Sequence, residues 1–144
     1  MPWTFARQRA EFSQAGVYNF LFTLESPFNG GTVPWHNAEI PYVFYNADYI
    51  EPSYIPGITE LVQTIVCGCW CSFARTGRPE AAGAPEWLPY TQKQHAMMYF
   101  DKECEVKSAD AEEELAEFLA NHPFMMTQQD RSVEAKLFGG GPRV

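Results

Sequence analysis

Apolar positions follow two different periods along the chain. Residues 17–24, Val-Tyr-Asn-Phe-Leu-Phe-Thr-Leu, are apolar on both faces apart from Asn19 and Thr23. That is the pattern of a strand covered on both sides in a parallel sheet. Residues 96–101 predict a second, shorter strand. Helical spacing dominates residues 58–76, where Leu61, Ile65, Cys69 and Phe73 make one stripe and Val62, Val66 and Trp70 the adjacent one, a face wide enough to be core. Thr59 offers a cap to this helix, and Gly77 followed by Pro79 a stop. Shorter helices are predicted over residues 4–14, capped by Thr4, and over 37–44, where Ile40, Val43 and Phe44 recur at helical spacing and Pro41 falls in the first turn, with no amide partner to lose. A last helix is predicted over 110–120. Its Leu115, Phe118 and Leu119 should point inward, while Glu112, Glu113 and Glu114 form a solvated run near the amino end, where the helix dipole favours them.

The breakers between these elements locate the one candidate chemical group. Gly30, Gly31 and Pro34 deny regular structure to the segment after the first strand, so His36 falls in a loop or at a loop-to-helix junction. Loops are where catalytic groups concentrate. Residues 45–57 read as an ordered irregular connection. Residues 78–94 read as a loop pinned to the body by Trp87 and Tyr90. His95 has no motif around it and reads as structural or exposed. Residues 123–144 lack periodicity and predict a mobile tail. Two strands do not make a stable sheet. The longer one would present an unpaired apolar edge, which natural proteins avoid, so missing chain or a partner should supply its neighbours.

Composition narrows the partners. The chain has 144 residues, 46% of them hydrophobic, enough in principle for a sizeable core. A net charge of -8 opposes the phosphate-neutralising surface that nucleic-acid binding needs. Glu60 and Gln63 interrupt the best apolar run, which excludes a membrane span, and Arg7 and Arg9 are followed by no apolar core of a secretory signal. Cys67, Cys69 and Cys71 alternate through one helix, with Cys67 and Cys71 on one face and Cys69 nearly opposite, so the three cannot close a common tetrahedral site. With Cys104 they read as small buried apolar residues of a reducing compartment, which favours the cytoplasm. No metal site and no cofactor are expected, since Gly30 and Gly31 lack the companions a phosphate-binding loop needs.

Five blocks in order carry a resemblance: residues 17–22, then Val33-Pro-Trp-His-Asn-Ala-Glu-Ile-Pro-Tyr-Val-Phe44, then Trp70-Cys-Ser-Phe-Ala-Arg-Thr-Gly-Arg-Pro79, then residues 87–90, then Met98-Tyr-Phe100. Their order and spacing resemble the carboxy-terminal part of type-B carboxylesterases, the para-nitrobenzyl esterase and cholinesterase family, over roughly residues 5–120. Glu80, where the family prefers Asn, and Trp87-Leu-Pro-Tyr90 depart from its pattern away from the His36 segment. The resemblance implies an α/β fold: the carboxy-terminal part of an α/β-hydrolase over residues 1–122, mostly helices and loops with one long and one short strand. It implies that His36 is the triad histidine and that Glu39 is a buried acid near the site. Phe28 and Trp35 are candidates to line an acyl or alcohol pocket, with plain packing the equal alternative.

In this family the triad runs in chain order serine, acid, histidine. None of Ser13, Ser26, Ser53, Ser72, Ser108 and Ser132 lies in a Gly-x-Ser-x-Gly setting, and no Gly-rich run precedes the histidine to supply oxyanion amides. The expected function is therefore a segment of a carboxylic ester hydrolase, inactive without an upstream or complementing part and acting with it on a small-molecule ester. The other reading is a non-catalytic module that self-associates through its strand edge and exposed aromatics.

Overall fold

A computed structural model describes residues 2–12 and 15–122. The chain divides into two compact units, Pro2–Ala109 and a second that begins at Asp110. In the first, the elements run α1 (Pro2–Phe12), β1 (Asn19–Phe22), α2 (Ile40–Val43), α3 (Thr59–Thr76), β2 (Ala96–Phe100) and β3 (Glu105–Ser108). Short 3-10 turns occur at Phe28–Gly30, Ala47–Tyr49 and Glu51–Ser53. In the second unit the described element is α4 (Asp110–Asn121). The tail expected over residues 123–144 lies outside the described residues.

The strands form one mixed sheet in the order β1-β2-β3, with β1 parallel to β2 and β3 antiparallel to it. The predicted long strand is shorter than expected, four residues, and β3 was not anticipated. Its sequence Glu-Val-Lys-Ser carries too little apolar content to announce a strand. Instead Asp101 closes the turn before it, with Lys102 N–H donating to the Asp101 carboxylate at 2.7 Å. At the carboxyl ends of β1 and β2, Thr23 N–H donates to the Phe100 carbonyl at 2.9 Å and the Thr23 hydroxyl to the Asp101 carboxylate at 2.8 Å. Backbone groups alternate sides along a strand. Thr23 faces β2, so Phe20 and Phe22 direct their N–H and C=O to the opposite side, where no described strand pairs with β1.

The core lies between one face of the sheet and α3. Leu24, Tyr42, Val62, Val66, Cys69, Trp87, Met98 and Phe100 are buried together. Edge-to-face aromatic packing ties the layers, with Phe20 5.0 Å from Trp70 and Trp87 5.4 Å from Phe100 between ring centroids. The Trp87 indole N–H donates to the Asn19 carbonyl at 3.1 Å and Tyr90 N–H to the Val17 carbonyl at 2.7 Å, so both residues pin the 78–94 loop as expected. His95 stacks on Tyr90 at 5.2 Å, a structural role.

Helix α3 starts one residue later than predicted and stops where expected, at Gly77 in the left-handed region (φ 76°), whose N–H donates to the Phe73 carbonyl at 2.8 Å. Its buried face differs from the expected stripes. Thr59, Val62, Gln63, Val66 and Cys69 are buried, whereas Leu61 is 64% exposed and Phe73 46%. Polar residues took core positions because they have partners. Gln63 Oε1 accepts from Ala47 N–H at 3.1 Å, and the Thr59 hydroxyl accepts from Ile55 N–H at 2.7 Å while donating to the Ser53 carbonyl at 3.0 Å. Thr59 is thus a tie between segments and not the cap.

Of the cysteines, Cys69 is fully buried, Cys67 and Cys104 half-buried and Cys71 exposed, so the expectation of burial holds for one of the four. Burial, then the charge of Cys104, pushes the Cys69 thiol up to about 11. In α1 the cap assigned to Thr4 does not arise, since the helix begins at Pro2. In α4 Leu115 and Phe118 are exposed and Glu113 is buried, against expectation, while Leu119 is half-buried and Glu114 exposed as expected. His122 follows the helix, stacked on Phe118 at 4.2 Å with its Nδ1 at 2.8 Å from the Phe118 carbonyl.

Candidate active site

The loop that carries His36 leaves the carboxyl end of β1, the end of a parallel strand where α/β proteins bind their ligands. Its first half is a tight excursion. Ser26 and Thr32 exchange backbone hydrogen bonds of 3.0 and 2.9 Å across the 3-10 turn Phe28–Gly30. Asn29, Gly30 and Gly31 reverse the chain with φ of 53°, 86° and 114°. The two glycines supply the turn at no steric cost.

The second half winds through consecutive turns. Ala38 N–H donates to the Trp35 carbonyl at 3.1 Å and Ile40 N–H to the Asn37 carbonyl at 3.2 Å, with Asn37 itself left-handed at φ 69°. The predicted helix over 37–44 therefore becomes a turn followed by the single-turn α2, with Pro41 at its start. The apolar face expected from Ile40, Val43 and Phe44 is not the buried one. Tyr42 and Ala38 are buried, Val43 is half-buried, and Ile40 and Phe44 are exposed.

One distant segment fastens both ends of this loop. The Ser26 hydroxyl donates to the Pro52 carbonyl at 2.5 Å, and the Tyr42 hydroxyl donates to the Ser53 carbonyl at 2.6 Å. Tyr42 also packs on Phe22 of β1 at 5.0 Å. Burial raises the Tyr42 hydroxyl pKa above its ordinary value, and a hydrogen bond with Thr59 partly offsets this. No pattern along the chain announces these ties. Serine and tyrosine in an irregular stretch carry no periodicity, and their partners are backbone carbonyls 11 and 26 residues away.

On this frame His36 is exposed, between Trp35, which is 43% exposed, and Asn37. Glu39 is half-buried, less than the resemblance implies. Phe28 is half-buried at the start of the 3-10 turn, and Trp35 is exposed, as His36 is. Among the described residues, a cleft of about 500 Å³ along residues 78–89 and one of about 170 Å³ between Phe20, Trp70, Phe73 and Trp87 lie elsewhere; neither includes His36, Phe28 or Trp35. Exposed apolar side chains surround the histidine in sequence: Val33, Trp35, Ile40, Phe44 and Tyr45. Among the described residues no three His, Cys, Asp or Glu side chains cluster as metal donors, and no helix is long and apolar enough to cross a membrane.

A three-strand sheet with helices packed on it and a histidine loop after a parallel strand is a piece of an α/β-hydrolase. Residues 3–118 match the family model described as Carboxylesterase family, and the chain belongs to that family. It is 26% identical over 108 residues to the para-nitrobenzyl esterase of Bacillus subtilis (strain 168), a match covering 72% of this chain and 21% of that protein. Among solved structures it is similar to an esterase from the anaerobe Clostridium hathewayi that can hydrolyze aliphatic aromatic polyesters, with a TM-score of 0.70 and 30% identity over 75% of this chain and 21% of the other. It is also similar to the carboxylesterase EST55 of Geobacillus stearothermophilus at pH 6.8, with a TM-score of 0.61 and 29% identity over 77% and 23% of the two chains. The chain spans about a fifth of the length of these relatives.

Proposed function

We propose that this chain is the histidine-bearing segment of a serine carboxylesterase, with the attacking serine and the triad acid on an upstream part of the same enzyme or on a complementing chain. The observation that carries this reading is an exposed His36 on a loop fastened at both ends and held at the carboxyl end of a parallel strand. His36 takes the proton from the serine hydroxyl as it attacks the carbonyl of a small-molecule ester, then returns it to the leaving alcohol. Imidazole suits the task because its ordinary pKa lies near neutrality. Glu39, three residues on at the start of α2, is poorly placed to bond the ring it follows and acts beside the site. Phe28 and Trp35 line the acyl or alcohol pocket once the remaining fold closes over the loop.

Loss of the nucleophile costs a serine hydrolase on the order of a million-fold in turnover. Purified alone, the chain is therefore expected to leave para-nitrophenyl acetate at the buffer rate. Joined to, or mixed with, an upstream polypeptide bearing the Gly-x-Ser-x-Gly turn, it is expected to give turnover. Hydrolysis by the 144-residue chain above a His36→Ala control would count against the proposal.

The open side of β1 favours one further reading, self-association without catalysis. It requires a discrete oligomer in native mass spectrometry and no ester hydrolysis under any complementation. A monodisperse monomer removes it.

A further inference from the structure

Cys67 and Cys71 stand one turn apart on α3, with their sulfurs 3.9 Å apart. Cys71 is exposed and Cys67 half-buried, so the pair opens to solvent, while Cys69 between them turns into the core. None of the chemistry assigned to His36 uses this face of the helix.

The separation discriminates between the things two thiols can do. A disulfide needs sulfurs at about 2.0 Å and Cβ atoms about 3.5–4.5 Å apart, whereas residues i and i+4 of a helix hold their Cβ atoms about 5–6 Å apart. Oxidation would thus require α3 to unwind locally. A single metal ion between the sulfurs requires no such movement. Two metal–sulfur bonds of about 2.3 Å meeting at a tetrahedral angle span about 3.8 Å. The observed gap of 3.9 Å is within about 0.2 Å of that span.

We propose that Cys67 and Cys71 form a two-thiolate chelate for one soft, thiophilic metal ion of the Zn, Cd or Cu(I) class. The remaining coordination positions are filled from outside, by water or a small exogenous ligand, because the described residues offer no third clustered donor. Binding involves no redox step: each thiol gives up its proton, two metal–sulfur bonds form, and two protons leave to solvent per ion bound. Hard ions such as Mg2+ are excluded by ligand type. This site is distinct from the three-cysteine tetrahedral centre that the helical periodicity forbids.

The test is titration of the untagged, reduced 144-residue chain with Cd2+, followed by the ultraviolet thiolate-to-metal charge-transfer band and by calorimetry. The expected result is one Cd2+ per chain with two thiolates, an affinity weakened at least about tenfold by either Cys67→Ser or Cys71→Ser, and no change with Cys69→Ala or with excess Mg2+. Cys71 is exposed, so Cys71→Ser keeps the fold, and its circular dichroism spectrum checks this. Absence of the charge-transfer band, or binding that survives Cys71→Ser, overturns the proposal.

Discussion

Tyr42 donates its hydroxyl to the carbonyl of Ser53 across 2.6 Å, and through that bond the end of the His36 loop is held against the amino-terminal approach to α3. The same carbonyl accepts from Thr59 at 3.0 Å. With Ser26 bound to the neighbouring Pro52 carbonyl, one 3-10 turn, Glu51–Ser53, fixes where the loop starts and where it stops.

The two donors on Ser53 should not be equivalent. Tyr42→Phe removes the hydroxyl's bond to this carbonyl and its interaction with Thr59 but leaves the carbonyl paired with Thr59, so it should cost about 0.5–1.5 kcal/mol. Thr59→Val removes the same carbonyl's other donor and also strips Ile55 N–H of its acceptor at 2.7 Å, inside a fully buried position. Its cost should be larger, about 1–3 kcal/mol. Urea denaturation midpoints at constant slope measure both, and a Thr59→Val chain as stable as Tyr42→Phe would remove the asymmetry argued here.

Tyr42 also gives the fold an alkaline weakness. Burial raises its pKa, so above the ordinary value of 10.0 the unfolded chain loses this proton before the folded one does. Fewer protons are then bound unfolded than folded, and stability falls as pH rises. The contribution is fully present below pH 10.0 and declines above it, through the folded-state pKa. Comparing urea midpoints at pH 8 and 10.5 should show a smaller drop in Tyr42→Phe than in the parent; equal drops would assign the alkaline loss to other groups.

Gly68 sets two local effects of opposite sign against each other. Alanine within α3 should gain about 1 kcal/mol from helix propensity. A Cβ there would meet the Cβ of Ala81 at 2.8 Å, too close to be accommodated without moving the 78–94 loop. Since Trp87 pins that loop to β1 and Tyr90 pins it to Val17 just before the strand, the clash should win and Gly68→Ala should destabilise. The double change Gly68→Ala, Ala81→Gly should recover stability to at least the parent level, which thermal melting checks.

How far the chain could be read from its letters depended on where each residue finds its partner. Gly77 ends α3 because the left-handed stop is a local matter, and the Trp87 and Tyr90 anchors follow from large aromatics in a loop rich in Pro, Gly and Ala. The α3 core face was misread because Thr59 and Gln63 are polar by composition and become core residues only through Ile55, Ser53 and Ala47, partners that periodicity cannot name. Leu61, Ile40 and Phe44 were placed inward on hydrophobicity, yet are exposed here. In a chain spanning about a fifth of its relatives, apolar stripes suit surfaces that the rest of an α/β-hydrolase would cover. His36 was legible from its breakers and its resemblance. The ties that fasten its loop were not.

The exposure of His36 permits a separation that a buried residue would not. Its ring is solvent-facing and sits outside the core, so His36→Ala and His36→Gln should each change stability by less than about 0.5 kcal/mol. Under the proposed function, the same substitutions in a chain joined to a serine-bearing part should lower kcat on the order of a million-fold, while substrate binding, read by a competitive inhibitor, stays within a few fold. A packing role would reverse this pattern, moving stability first and turnover only in proportion to the folded fraction. Glu39→Gln, at a half-buried position three residues on, should fall between the two, with a turnover loss of about 10–100-fold. Denaturant midpoints and steady-state para-nitrophenyl ester kinetics on the same preparations decide the matter. Turnover by His36→Gln within about tenfold of the parent would transfer the proton-shuttling role to another residue.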